Sequence, residues 1–161
     1  MRAVLLLAAL VALGASAVPS AENLAGRFTR RVANGDISGA RFTTTDTILI
    51  VPVDRANAYL EMQLSFFNGH QCSIAGMATM EGSRLVLRDA DAQGFDGAPC
   101  QLSVWREGSR LRWSDGGGSC RSNCGARGRF DDTMRWSARR ILSRAERARI
   151  LADFRNSPRL P

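Results

Sequence analysis

Residues 60–66 read Leu-Glu-Met-Gln-Leu-Ser-Phe, so an apolar side chain stands at every second position. A period of two is typical of a β-strand that turns one face to a core and the other to water. The same alternation recurs at residues 85–88, 102–104 and 110–114. Residues 48–53 are instead apolar throughout, which indicates a strand covered on both faces. These segments predict a mainly β protein.

Turn-forming residues separate the strand-like runs. Asn68-Gly69, Glu81-Gly82-Ser83 and Glu107-Gly108-Ser109 each stand between two such runs, and Asn34-Gly35 predicts a hairpin between residues 28–32 and 37–42. Residues 90–99 are rich in turn-forming residues and predict a longer loop. About seven to nine short strands at this spacing predict a small antiparallel meander that closes as a barrel or a sandwich.

The N-terminus has the features of a secretory signal peptide. Arg2 precedes an apolar run over residues 3–13, and Ala15-Ser16-Ala17 forms a cleavage site of the A-x-A type. The apolar run is shorter than the roughly 20 residues that a spanning helix needs, and we expect no transmembrane segment in the mature chain. The predicted domains are therefore a signal peptide at 1–17, a β-domain at 18–136 and a C-terminal segment at 137–161. The expected location is periplasmic or secreted.

Four cysteines are present, and an oxidising compartment favours two disulfides among them. A zinc site is not expected, because zinc knuckles use a C-x2-C spacing and the close pair here is C-x3-C. The four cysteines allow three pairings. Cys72 and Cys100 each share strand parity with apolar residues, which predicts that both face the core and favours a bridge between them across neighbouring strands. Cys120 and Cys124 would then pair with each other. No metal or cofactor is predicted.

The positive charge of the chain is concentrated in its last segment. All 22 basic residues are Arg; residues 18–134 hold 13 Arg and 13 acids, whereas residues 135–161 hold 8 Arg and only Glu146 and Asp153 as acids. Ser143 and Glu146 fit a capping box, and residues 145, 148, 151 and 154 form an apolar stripe, which together predict a helix at about 143–154.

This basic helix allows two interpretations. Its apolar stripe can pack on the β-domain while the arginines stay solvated. Alternatively, its polar face can bind an anionic envelope surface. Nucleic acid is not an expected partner, because export removes it and no set of aromatic residues interleaves with the arginines. The candidate binding residues of this segment are Arg140, Arg144, Arg147 and Arg149.

Catalytic chemistry has little support in the sequence. His70 is the only histidine, and its place after Asn68-Gly69 predicts a turn residue at a strand start. A hydrolase that uses His70 with acidic neighbours in a cleft is the enzymatic alternative. The loop at residues 120–128 presents Arg127, which could bind an acidic partner group or pair within the domain with Asp115 or Asp131. No catalytic residue is predicted; His70 and Arg127 are candidate binding residues.

Several short motifs together resemble an uncharacterised family of exported proteins of Gram-negative bacteria. They are Asn68-Gly69-His70-x-Cys72, Gly76-x-Ala78, Leu85-Val86, Cys100-x-Leu102 and the segment Cys120-x3-Cys124-Gly125-Ala126-Arg127-Gly128. The similarity covers residues 40–132 and implies a small secreted β-domain with disulfides, without implying an activity. A similar module sometimes accompanies domains of the lysozyme-inhibitor type, although that inhibitor half is absent here.

The sequence therefore leads to three functional hypotheses. The first is an exported, non-enzymatic binding or inhibitory module of the cell envelope with a protein partner. The second is an envelope-surface protein held electrostatically by its Arg-rich C-terminal helix. The third is the hydrolase that uses His70.

Overall fold

The computed structural model describes residues 19–94 and 97–156. Within these ranges the chain forms an antiparallel meander of nine strands, hydrogen-bonded in the order β8-β7-β6-β5-β4-β3-β2-β1-β9 and curled into a nearly closed barrel. The elements are β1 (Gly26–Gly35), β2 (Arg41–Pro52), β3 (Asn57–Ser65), β4 (Gln71–Glu81), β5 (Arg84–Gln93), β6 (Pro99–Glu107), β7 (Arg110–Ser114), β8 (Asp131–Arg135), β9 (Arg139–Arg140) and the helix α1 (Arg144–Asn156). This confirms the predicted fold class. The predicted signal peptide lies outside the described residues.

The barrel interior is filled by side chains. Leu60, Met62 and Leu64 of β3 are buried, whereas the intervening Glu61 and Gln63 are not, as the alternation predicts. The largest fully buried side chains pack together in one cluster: Trp113, Phe28, Phe130, Ile48, Ile50, Leu60, Met62, Leu85, Leu87, Leu102, Leu111 and Met134. In the described part of the chain, the barrel interior is therefore a packed hydrophobic core.

The first hairpin differs from the prediction. Asn34 and Gly35 are the last residues of β1, and they pair with Phe42 and Arg41. The turn lies at residues 36–40, where Asp36 Oδ1 accepts hydrogen bonds from the backbone N–H groups of Ser38 (2.9 Å) and Ala40 (3.1 Å). An aspartate that binds the following backbone in this way makes a stable turn by itself. The predicted loop at 90–99 is also shorter, because β5 continues to Gln93.

Arg30 spans the seam of the barrel between β1 and β8. Its guanidinium donates to the carbonyl of Thr133 (2.9 Å) and to the carboxylates of Asp132 (2.9 Å) and buried Asp46 (2.7 Å). Partial burial lowers the pKa of Arg30, but the hydrogen bonds to Asp46 and Asp132 outweigh it, and the pKa is raised. One charged side chain thus links β1 to the end strand β8, two strands of the sheet that are not paired through their backbones.

The C-terminal helix packs on the outer face of the sheet. Ile150, Leu151 and Phe154 contact Leu49, Val51, Tyr59 and Leu142. The Tyr59 and Phe154 rings lie 4.5 Å apart between centroids. The capping box is present, with Ser143 Oγ accepting from the Glu146 N–H (3.2 Å) and the Glu146 carboxylate accepting from the Ser143 N–H (2.8 Å).

The predicted apolar stripe of this helix is partly wrong. Ala145 and Ala148 are exposed, and Ile150 takes part in the packing instead. Residues 48–51 of the apolar run 48–53 are covered on both faces as predicted, since Ile48 and Ile50 face the interior and Leu49 and Val51 lie under the helix. The prediction is wrong at Val53, which follows the end of β2 and is 53% exposed. None of the described helices is long and apolar enough to cross a membrane.

Candidate functional site

The disulfides join Cys72 to Cys124 and Cys100 to Cys120. The predicted pairing of Cys72 with Cys100 is wrong because their strands are not neighbours: β5 lies between β4 and β6. The predicted pair Cys120–Cys124 is also wrong, because the connection at residues 115–130 folds back over the end of the barrel. There Cys124 reaches β4 and Cys120 reaches β6.

Buried Asp115 organises the start of this connection. Its carboxylate accepts hydrogen bonds from the N–H groups of Gly118 (3.0 Å) and Cys120 (3.2 Å). Its own N–H donates to the carbonyl of Phe130 (3.0 Å), which holds the two ends of the connection together. Farther along, Arg121 donates to the carbonyl of Gly125 (2.7 Å). Asp115 is therefore occupied by backbone groups and does not pair with Arg127.

A surface forms at this disulfide end of the barrel from Ile37, Phe67, His70 and Arg127; we call it the turn surface. The Arg127 guanidinium carbon lies 5.2 Å from the centroid of the Phe67 ring. Phe67 is 41% exposed and Ile37 is 80% exposed, so both side chains offer apolar area to a partner. The Ile37 N–H donates to the Asn68 side chain (3.4 Å) and so connects the first turn to the second.

Two glycines allow the cysteine loop to lie close to β4. A Cβ atom on Gly125 would stand 2.9 Å from His70 Nδ1, and one on Gly128 would stand 2.5 Å from the sulfur of Cys72. The Gly125 N–H also donates to the carbonyl of Gln71 (2.7 Å). The segment around His70 and the segment around Arg127 therefore lie against each other. These are the two parts of the sequence pattern described above.

Neither His70 nor Arg127 has an acidic partner within the described parts of the chain. For His70 this means that the carboxylate neighbour required by the hydrolase hypothesis is missing from those residues. For Arg127 it means that Asp131, the other predicted partner, forms no ion pair with it. The Arg127 guanidinium is stacked on an aromatic ring and otherwise faces solvent.

The arginines of the C-terminal segment lie elsewhere, beside the sheet face that α1 covers. Arg140 pairs with Glu146 (2.8 Å), and Arg147 donates from both terminal nitrogens to the Glu22 carboxylate (2.8 Å each). The hydrogen bonds from Arg140 and then from Ser143 lower the pKa of Glu146 to about 2. Arg144 and Arg149 are exposed and form no ion pair with a described residue. Two of the four predicted binding arginines are thus used inside the fold.

A second site lies at the opposite, hairpin end of the barrel, and the sequence analysis missed it. The side chains of Arg106 and Arg139 flank a cleft of about 550 Å³. Both guanidiniums lie over the Trp136 ring, with their carbons 4.4 Å and 4.9 Å from its centroid. The residues come from β6, β9 and the turn before β9, so their proximity depends on sheet order. The large number of arginines was the only feature of the sequence that pointed to this cleft.

Within the described residues no group of three or more His, Cys, Asp or Glu side chains is placed to hold a metal ion. No protein-family model, curated protein or solved structure matches this chain.

Proposed function

We propose that this protein is an exported, non-enzymatic binding module of the cell envelope that recognises a protein partner through the turn surface. The observation that carries the proposal is Arg127 stacked on exposed Phe67 without a carboxylate partner in the described chain. Arginine is among the residue types that most often dominate binding energy in protein interfaces, and phenylalanine is enriched in interfaces relative to the rest of the surface.

Rigidity of the turn surface supports this proposal. The Cys72–Cys124 disulfide ties the Arg127 loop to β4, and Gly125 packs directly on His70. A surface that is held in place before binding loses less conformational entropy when the complex forms. A rigid loop of this kind also suits an inhibitory module, which must enter a partner's cleft without rearranging.

The chemistry of the turn surface favours a partner with a carboxylate beside an apolar side chain. The guanidinium of Arg127 can bind a carboxylate through two parallel hydrogen bonds, while Phe67 and Ile37 offer apolar contact area. The two disulfides support an oxidising location, as does the predicted signal peptide. A protein of the periplasm or of the cell exterior is the partner we expect.

Charge reversal at the turn surface tests the proposal. The disulfide-bonded protein is immobilised and exposed to an envelope extract of the source organism, and the retained protein is identified and purified. We expect Arg127→Glu to weaken binding to that purified protein by about tenfold or more. Phe67→Ser should weaken it as well, because it removes the ring under the guanidinium.

Arg129→Glu is the matched control. Arg129 is exposed, lies two residues from Arg127 and is given the same change of charge. It should leave the affinity within about twofold of the unmodified protein, because surface charges away from an interface have small effects. Equal affinities for Arg127→Glu, Phe67→Ser and Arg129→Glu would show that the turn surface is not the binding site.

A further inference from the structure

The cleft at the hairpin end has the features of an anion-binding site. It lies between the N-terminal turn at Ala21–Leu24, the β4–β5 hairpin and the end of β6, and its volume of about 550 Å³ is that of a small-molecule site. Arg106 and Arg139 stand on one side. We call it the hairpin cleft.

Backbone hydrogen bonds and stacking on Trp136 hold the two guanidiniums in position. Nε of Arg106 donates to the carbonyl of Gly108 (2.9 Å), and Nε of Arg139 donates to the carbonyl of Ala25 (2.6 Å). Trp136 supports both guanidiniums and is itself packed on the core residue Phe28, with 5.3 Å between ring centroids. Their terminal nitrogens form no hydrogen bond with any described residue. Within the described residues, both arginines therefore keep terminal N–H groups that can donate hydrogen bonds to a ligand.

Positive charge at the hairpin cleft exceeds negative charge. Its one carboxylate among the described lining residues, Glu22, is already bound through both oxygens by Arg147. The pKa of Arg139 is lowered, first by partial burial and also by the positive charges of Arg106 and Arg147, while Glu22 alone opposes this. A bound anion would relieve the repulsion between these guanidiniums.

We propose that the hairpin cleft binds a phosphate group. The side chains of Ser20, Asn23 and Ser83 also line it and form no hydrogen bonds within the described structure. Together with the arginines they supply donors from several directions, which suits the tetrahedral oxygens of a phosphate better than the two oxygens of a carboxylate. Leu24 and Met80 add an apolar wall, so a phosphate ester that carries a small organic group is the favoured ligand.

Two sources share this chemistry, a soluble phosphate ester and a phospholipid headgroup. Glycerol 3-phosphate in isothermal titration calorimetry probes the first, with acetate as the carboxylate comparison. Co-sedimentation with phosphatidylglycerol vesicles probes the second. Binding of glycerol 3-phosphate identifies a site open to soluble esters, whereas binding of vesicles alone identifies the headgroup as the ligand.

The variants Arg106→Gln and Arg139→Gln should each weaken binding of the active probe by about tenfold or more, because each removes charged hydrogen bonds to the anion. Arg84→Gln is the matched control. Arg84 stacks on Trp105 at 4.1 Å in the same manner but lies outside the cleft, so its loss should leave the affinity unchanged. Thermal unfolding checks that each variant folds, and exposed Arg106 is the safer position if Arg139→Gln is destabilised.

Four results would overturn the proposal. One is the absence of binding to both probes. Another is equal affinity of the unmodified protein and folded Arg106→Gln. A third is binding of acetate as tight as that of glycerol 3-phosphate. The last is vesicle binding lost in Arg149→Gln but kept in Arg106→Gln, which would place the lipid contact on the exposed face of the helix instead.

Discussion

The two ends of the barrel are held together by different means. At the disulfide end, the connection at residues 115–130 contains five glycines and few apolar residues, and two covalent bonds tie it to β4 and β6. At the hairpin end, tight turns at Gly82 and Gly108 join neighbouring strands, and α1 and the N-terminal turn close the structure through side-chain packing and the Glu22–Arg147 ion pair.

The difference shows where a small β-barrel needs covalent support. A two-residue hairpin sets its own register, because the turn geometry matches the twist of the strands. A long glycine-rich connection loses much conformational entropy when it is ordered and has little apolar surface to offset that loss. The disulfides offset that loss by reducing the entropy of the unfolded chain, and in the folded protein the Cys72–Cys124 bond fixes the loop that carries Arg127 to β4.

Removal of the disulfides should have the largest effect on stability. On the chain-entropy relation, loss of Cys72–Cys124, which closes 52 residues, costs about 4 kcal/mol, and loss of Cys100–Cys120, which closes 20 residues, costs about 3 kcal/mol. Urea unfolding of the two double Cys→Ala variants measures both values. A larger loss for Cys100–Cys120 would show that loop closure is not the dominant contribution at this end.

Truncation at the helix interface should have a smaller effect. Phe154→Ala removes a half-buried ring that packs on Tyr59 and should lower the free energy of unfolding by about 2 kcal/mol. Ala148→Ser, at an exposed position of the same helix, should change it by less than about 0.5 kcal/mol. If both variants unfold at the same urea concentration, the helix does not stay docked in solution.

The change that acid produces at the first turn of α1 should be the smallest of these effects. The pKa of Glu146 is lowered from its ordinary value of 4.5 to about 2, so its contribution to stability is complete above pH 4.5 and is lost as the pH falls through 2. NMR titration of the Glu146 carboxyl should give a midpoint near 2, and far-UV circular dichroism should show the helix loosening in the same range.

Glu146→Gln checks the origin of this pH dependence. The variant keeps the shape of the capping residue but cannot be ionised, so its helix signal should not change over that range. A midpoint close to 4.5 in the unmodified protein would show that the contacts with Arg140 and Ser143 do not persist in solution.

Features that depend on neighbouring residues were predictable from the sequence. The strand at residues 60–66, the turn at Asn68-Gly69 and the capping box at Ser143 and Glu146 all follow from local rules, and the structure has them. The hairpin at Asn34-Gly35 was wrong because Asp36, two residues later, makes a competing turn with its own carboxylate.

Features that join distant residues were not predictable. Strand parity places Cys72 and Cys100 inside the barrel correctly, but parity says nothing about which strands are adjacent, and β5 separates them. Arg106 and Arg139 likewise meet at the hairpin cleft only because of the order of the strands in the sheet, which no local sequence pattern specifies. The sequence singled out Arg127 because its motif is unusual, whereas Arg106 and Arg139 stand among many arginines.

The sequence by itself determined the β-rich meander, most of its turns, the capped C-terminal helix and the unequal distribution of charge. These depend on periodicity and on the conformational preferences of single residues, which act over a few positions along the chain. Only the tertiary structure decided the disulfide pairing, the closure of the barrel by Arg30 and the meeting of Arg127 with Phe67. Each of these depends on which strand ends come together in space, and curling of the sheet sets that arrangement.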